Sequence, residues 1–152
     1  MEYGSIEREL FVNASPEVVF DVVSNPEHVK EWWSDDAEFG PGPGSPGWLT
    51  FGDPAAGGDR VRFQVADAVP HTRFAFRWTH ADPDAAPGNS NLVVFELTPA
   101  DGGTMLRFSE TGFRERGWAE AKVKEVHDDH TSGWDHFLPQ LVTHAERIGA
   151  DA

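Results

Sequence analysis

Glu110 is the side chain whose type and position most favour chemistry. It falls in an alternating stretch, residues 104–112, in phase with Leu106 and Phe108, so these side chains share one face of a predicted strand. We assign that face to the interior, where an ionised carboxylate is costly unless it is paired or hydrogen-bonded. Two interpretations follow. Glu110 anchors a ligand or acts as a general base, or it lies at a wet rim near the strand end and pairs with an arginine.

Two histidines near the C-terminal helix are the next candidates. His127 and His130 are three positions apart, on one helical face, where they could bind a divalent metal if His80 or Glu110 supplied a third ligand. The spacing is not the HExxH pattern of zinc enzymes. The two aspartates between them more simply match the positive N-terminus of the last helix. We therefore expect no metal site and no other cofactor, and we expect His80 to be the first residue of a loop.

Large aromatic rings are a marked feature of the chain, with six Trp and eleven Phe against one Tyr. At strand and helix periodicity such rings are core residues first, and those in phase with the interior can also line a cavity. Glu110 would orient a ligand there, because an unpaired group in a closed cavity selects for ligands that carry a donor. We expect the cavity to open near Glu110 and the second short helix. Its predicted lining is Trp33, Phe63, Phe76, Trp78, Phe108, Glu110 and Trp134.

Periodicity and turn signals predict the elements that hold these residues in place. Residues 5–13 alternate as a strand, and Ser15-Pro16 and Asn25-Pro26 are typical starts of two short helices. Apolar residues recur at helical spacing over residues 131–148, which predicts one long helix. Further strands are predicted at residues 48–51, 60–69, 73–80, 91–98 and 104–112, with loops at residues 40–47 and 82–91. The chain, residues 1–152, is expected to form a single α+β domain, in which a curved antiparallel sheet wraps around the long C-terminal helix.

Four segments in this order resemble proteins similar to the activator of heat-shock-protein-90 ATPase, a family of the START-like, birch-pollen-allergen-like (SRPBCC) superfamily. They are ASPEVVFDVVSNPEHVKEWW at residues 14–33, Thr72-Arg73-Phe74 with Trp78, the stretch from Gly103-Thr104 to Gly112-Phe113, and Gly133-Trp134 with Leu138 and Leu141. The resemblance covers nearly the whole chain. It implies a helix-grip fold, with two short helices after the first strand and an apolar cavity between the sheet and the long helix.

Composition narrows the expected partners and location. The chain has 26 Asp and Glu against 12 Lys and Arg, a formal net charge of -14. Such a surface repels phosphate backbones and anionic lipid head groups, so we expect neither nucleic acid nor a membrane as a partner. The chain has no cysteine, which rules out disulfides and thiolate metal sites and fits the reducing cytoplasm, the location we expect.

Three functions stay open at this point. The main hypothesis is a non-catalytic binder of a small hydrophobic or aromatic molecule, which rests on the fold analogy and on the aromatic content. The first alternative is an enzyme of the polyketide-cyclase kind that uses Glu110 or a histidine as acid or base. The second is a co-chaperone or another protein-interaction module, whose partner would be a chaperone or other protein and which needs an exposed apolar patch. No GxSxG elbow is present, and we assign no catalytic residue.

Overall fold

The computed structural model describes residues 3–52, 58–79 and 88–151. Their elements are, in chain order, β1 (Ser5–Val12), α1 (Pro16–Ser24), α2 (Pro26–Trp32), β2 (Asp36–Phe39), β3 (Pro46–Phe51), β4 (Asp59–Val69), β5 (Arg73–Thr79), β6 (Asn91–Ala100), β7 (Gly103–Thr111) and α3 (Glu120–Asp151). Two short helices follow the first strand and a long helix follows the last one, as predicted.

The described strands join one antiparallel sheet in the order β1-β7-β6-β5-β4-β3-β2. β7 lies between β1 and β6, and Glu110 of β7 pairs with Ile6 on one side and Val93 on the other. Directly paired residues project to the same face of a sheet. Ile6 and Val93 are at most 2% exposed, so the register directs the Glu110 carboxylate into the protein rather than toward solvent.

Helix α3 packs against the concave face of this sheet. Trp134, Leu138 and Leu141 recur every three or four residues along the helix, and each is at most 2% exposed. A register shift in the middle of β4 adds a bulge, which bends a sheet locally and helps it to curve. The predicted helix-grip architecture is therefore confirmed.

The two short helices begin where the sequence predicts. Ser15 Oγ accepts a hydrogen bond from the backbone N–H of Val18 at 3.3 Å, and Asn25 Oδ1 accepts one from the N–H of Glu27 at 3.0 Å. A proline follows each of these caps, at a helical position whose missing N–H has no partner to lose. Both starts are fixed by local chemistry alone.

Helix α3 is longer than predicted. It begins at Glu120 rather than at residue 131, and it extends to Asp151. Residues 120–130 carry few large apolar side chains but several good helix formers, so their helical preference is not visible as an apolar stripe. The predicted start was wrong for this reason. Neither α3 nor another helix of the described residues is long and apolar enough to cross a membrane.

Strand β2 is an element that the sequence patterns do not reveal. It has four residues and pairs with β3 at the edge of the sheet. β3 itself begins at Pro46, inside the stretch assigned to a loop. Such short strands offer too few alternations for a period to be recognised. His80 lies outside the described residues, as do residues 82–87 of the second predicted loop.

A line of four side chains ties the three helices together. Arg147 can only donate, so its NH2 group donates to Nδ1 of His144 at 3.1 Å. The neutral His144 ring then carries its proton on Nε2, which lies 3.0 Å from Nδ1 of His28. Nε2 of His28 lies in turn 3.0 Å from Oδ2 of Asp21. Each ring therefore donates in the same direction, from α3 through α2 to α1.

We expect the protein to lose stability on acidification through His144. Burial lowers the pKa of this imidazole below the ordinary histidine value, and the neighbouring His28 and Arg147 lower it further. The unfolded chain then binds a proton that the folded chain resists. The stabilisation is complete above about pH 6.5 and is lost as the pH falls through the folded-state pKa.

Urea unfolding at about pH 7.5 and about pH 5.5, on either side of the ordinary histidine value, measures this effect. His144→Gln removes the ionisation, and His136→Gln, at an exposed histidine of the same helix, is the matched control. The wild type and His136→Gln should lose more free energy of unfolding between the two pH values than His144→Gln loses. Equal losses in the three proteins would contradict the role of His144.

Candidate functional site

The Glu110 carboxylate is fully buried, with 0% of the residue exposed. Oε2 accepts hydrogen bonds from Trp78 Nε1 at 2.8 Å and from Asn91 Nδ2 at 3.1 Å. Oε1 accepts one from Trp134 Nε1 at 2.8 Å. Nδ1 of His130 lies 2.9 Å from Oε1 and 3.0 Å from Oε2. Two indoles, one amide and one imidazole thus replace the water that an exposed carboxylate would bind.

This environment excludes one of the two interpretations of Glu110. The wet-rim interpretation is wrong, because the side chain is buried and its hydrogen-bond partners in the described chain include no arginine. Burial of an unpaired carboxylate would cost several kcal/mol, whereas each hydrogen bond to a charged group contributes about 1.5–3 kcal/mol. The donors offset the free-energy cost of burying the carboxylate, so removal of any one of them should destabilise the folded protein.

Three elements bring the donors together. Trp78 lies near the end of β5, and Asn91 is the first residue of β6, its paired neighbour in the sheet. His130 and Trp134 are four positions apart on α3 and therefore on one face of the helix. The site therefore forms only where the segment of α3 around residues 130–134 meets the end of β5 and the start of β6.

Gly112 and Phe113, just after β7, complete the surroundings of His130. Gly112 has φ 109°, a backbone conformation that favours glycine, and a Cβ at this position would lie 2.8 Å from the Ser90 carbonyl oxygen. The turn leaves Phe113 fully buried, with its ring centroid 5.4 Å from that of His130. The glycine thus lets an apolar ring support the imidazole that bonds Glu110.

Glu110 and His130 together form a carboxylate–imidazole pair. An ionised carboxylate only accepts, so His130 Nδ1 donates to it, and a neutral His130 then has a free lone pair on Nε2. Nε2 has no hydrogen-bond partner in the described part of the chain. An imidazole held in this way by a carboxylate can accept a hydrogen bond or a proton at its second nitrogen.

A pocket opens directly beside this pair, and we call it the ring pocket. Its volume is about 190 Å³. It is lined by Trp33, Phe51, Asp59, Trp78, Asp129, His130, Gly133, Trp134 and Phe137. Five of these residues carry phenyl or indole rings. The Trp33 ring contacts two of the others, with its centroid 4.8 Å from that of Trp134 and 5.1 Å from that of Trp78.

The family of the chain follows from comparison with known proteins. The family described as Activator of Hsp90 ATPase homolog 1-like protein matches residues 13–146, which is most of the chain. The chain belongs to this family. No curated protein matches it significantly.

Solved structures share the fold of this family member. A Mesorhizobium loti protein has a TM-score of 0.77 at 21% identity, over 94% of this chain and 97% of its own. The Aha1 dimer of Colwellia psychrerythraea has a TM-score of 0.69 at 23% identity, over 93% of this chain and 96% of its own. DynU16, from the dynemicin biosynthetic locus, has a TM-score of 0.70 at 23% identity over 94% of this chain, which spans 47% of DynU16. At these identities the similarity shows the fold alone.

The predicted ligand-binding residues fall into three groups in this family member. Trp33, Trp78 and Trp134 line the ring pocket. Glu110 does not line the pocket, but it is hydrogen-bonded to His130, Trp78 and Trp134, which do. The remaining three, Phe63, Phe76 and Phe108, are at most 3% exposed and pack in the hydrophobic core.

Sequence analysis placed His130 in a possible metal site with His127, and the structure separates the two. His127 Nε2 lies 2.8 Å from the Ser5 carbonyl oxygen, whereas His130 bonds Glu110. The described residues contain no group of three or more potential metal ligands. Sequence analysis named Glu110 only as a possible third metal ligand beside the two histidines, whereas in the structure Glu110 bonds His130 directly. The four-residue spacing of His130 and Trp134 was the signal that both side chains share one helical face.

Glu110→Gln is expected to destabilise the protein by at least about 2 kcal/mol. The amide keeps the shape of the side chain but loses the charge, and its NH2 group would face side chains that are themselves donors. Urea unfolding gives the free energy of unfolding directly.

Glu9→Gln is the matched control, because Glu9 is a strand glutamate whose side chain is 57% exposed in its contact with Arg107. This change should stay within about 0.5 kcal/mol of the wild type. A similar, small effect of both substitutions would show that the Glu110 hydrogen bonds contribute little to stability.

Proposed function

We propose that the protein binds a small apolar or aromatic molecule in the ring pocket. The observation that carries this proposal is a pocket of about 190 Å³ walled by aromatic rings and bordered by His130. Removal of ligand surface from water would supply most of the affinity, at roughly 25 cal/mol per Å² of apolar area. The aromatic faces would also favour flat ligands, because rings stack or meet edge to face at short distance.

The size of the pocket limits the ligand. A dry cavity of about 150 Å³ is large enough to hold benzene, whereas pockets for drug-sized molecules measure about 300–1,000 Å³. The ring pocket, at about 190 Å³, therefore suits a ligand of one or two fused rings, or one ring system of a larger ligand. Phe63, Phe76 and Phe108, which were predicted to line the cavity, pack in the hydrophobic core and do not enlarge the pocket.

His130 gives the ring pocket one orienting polar group. Its Nδ1 is committed to Glu110, so its Nε2 is left to accept a hydrogen bond from a hydroxyl or N–H group of the ligand. Asp129 and Asp59 also line the pocket and can accept from the ligand. The binding site thus favours an aromatic ligand with a donor on its edge.

An acid–base enzyme is the second candidate function, and the Glu110–His130 pair is the observation that favours it. Nε2 of His130 would remove a proton from a bound molecule while Glu110 stabilises the imidazolium that forms. Proton abstraction next to a carbonyl is the simplest reaction of this kind. Hydrogen–deuterium exchange of 2-tetralone in D₂O, followed by NMR, distinguishes the enzyme from the binder if His130→Gln abolishes any acceleration over buffer.

Binding to a chaperone is the third possibility, and the family description is its only support. The large hydrophobic side chains that are exposed in the described residues are Phe11 of β1 and Val69 of β4. β1 and β4 are separated by three strands in the sheet, so these side chains form no common patch. The described surface therefore gives the chaperone hypothesis no apolar docking site of the usual size.

Gly133 allows a test that fills the ring pocket without damage to the fold. Gly133 lines the pocket, and a Cβ added there would meet nothing within 4 Å. Gly133→Leu should therefore occupy the pocket and weaken binding of 2-naphthol by about tenfold or more, the effect of losing about 1.4 kcal/mol of binding free energy. The melting temperature should not fall, because leucine is a better helix former than glycine by close to 1 kcal/mol.

Gly133→Ala is the matched control, since it makes the same helical correction but adds a single methyl group. Calorimetric titration should give Gly133→Ala an affinity close to that of the wild type. Equal affinities in the leucine variant and the wild type would place the ligand elsewhere. No detectable binding to the wild type by 2-naphthol, indole or naphthalene would remove the support for this function.

A further inference from the structure

A second pocket adjoins the ring pocket, and we call it the arginine pocket. Its volume is about 300 Å³. Three of its lining residues, Trp78, Asp129 and His130, also line the ring pocket, so the two pockets share a wall. The rest of its lining is Thr79, Asn91, Arg116, Trp118, Lys122 and Val126. The arginine pocket thus brings two cations next to an aromatic site.

Arg116 is the cation at the centre of this pocket. Its guanidinium lies over the Trp118 ring, 4.5 Å from the centroid, and donates to Asn91 Oδ1 at 3.2 Å and to Thr79 Oγ1 at 3.4 Å. A guanidinium carries five N–H donors, and these two bonds are the ones that Arg116 makes to described residues. The remaining donors have no hydrogen-bond partner in the described part of the chain, and Arg116 lines the pocket.

Arg116 lacks a carboxylate partner among the described residues, although the chain has 26 acidic residues to 12 basic ones. Arg114, two positions earlier, makes a two-pronged contact with Glu120 at 2.8 and 2.9 Å. Partial burial of the guanidinium lowers the pKa of Arg116, because the charged form loses contact with water. A half-buried arginine whose hydrogen-bond partners among the described residues are all neutral, in a chain this acidic, is suited to an anion supplied from outside.

We propose that the arginine pocket binds the carboxylate group of an aromatic acid whose rings occupy the ring pocket. This inference rests on the proposed function, and it narrows the ligand class from apolar molecules to aromatic carboxylates. Arg116 matches the planar carboxylate with paired donors, and Lys122 adds a second positive charge. Asp129 lines the same pocket, and its negative charge disfavours a doubly charged phosphate more than a carboxylate.

The test compares two probes of the same shape, 2-naphthoate and its neutral amide, 2-naphthamide, by calorimetric titration at low salt. We expect the wild type to bind the carboxylate about tenfold more tightly, the effect of one charge-assisted hydrogen-bond pair. Arg116→Met should abolish this preference with little change in the affinity for the amide, and Arg116→Lys should retain part of it. Arg60→Met is the matched control, because Arg60 also lies over an indole, 4.1 Å from the Trp48 centroid, and lines neither pocket.

The outcomes separate the arginine pocket from the ring pocket. Equal affinities for the two probes would overturn the carboxylate site and leave the ring pocket intact. Binding of neither probe would overturn both. Loss of both probes in Arg116→Met would show that Arg116 only maintains the shape of the pocket, which also overturns the inference. Tighter binding of 2-naphthyl phosphate than of 2-naphthoate would overturn the choice of a carboxylate.

Discussion

The buried Glu110 carboxylate needs hydrogen-bond donors, and this need constrains how β5, β6, β7 and α3 are arranged. Glu110 lies in the interior because the register of β7 with β1 and β6 points it there. A carboxylate in that position requires donors, and these come from β5, β6 and α3 together. The bonds are directional, so they fix how α3 is rotated and how far it slides along the sheet, which apolar packing alone specifies less well. The hydrogen bonds to Glu110 and the burial of the apolar stripe of α3 therefore favour the same position of the helix.

The aromatic residues around Glu110 show why core and pocket could not be separated from the sequence. The rings of Phe63 and Phe76 stack with their centroids 4.4 Å apart and belong to the hydrophobic core. Trp78, two positions after Phe76 on the same strand face, is only partly buried and lines the ring pocket. Phe76 and Trp78 are both aromatic and have the same phase in the strand. A period of two therefore predicts the face on which they lie, but not how far along the strand the packed core extends. Depth depends on where α3 and α2 meet the sheet, which is a tertiary property.

The parts of the site that sequence analysis did identify are those fixed by local periodicity. Alternation placed Glu110 with Leu106 and Phe108, and helical spacing placed Trp134 on the buried face of α3. Arg116 was missed because it lies in residues 112–119, between β7 and α3, where no period applies. His130 was assigned to a different kind of site because its three-residue spacing to His127 suggested a metal pair, whereas its contact with Glu110 depends on how α3 packs on the sheet. The fold was thus largely predictable, whereas the partners of Glu110 were not.

Asn91 connects the two pockets through the buried carboxylate. Its Nδ2 donates to Glu110, and its Oδ1 accepts from Arg116, so the amide lies between a negative and a positive charge and its orientation is fixed by both. His130 contacts the same carboxylate from the other side and lines both pockets. The buried Glu110 carboxylate is thus hydrogen-bonded to residues that line both pockets.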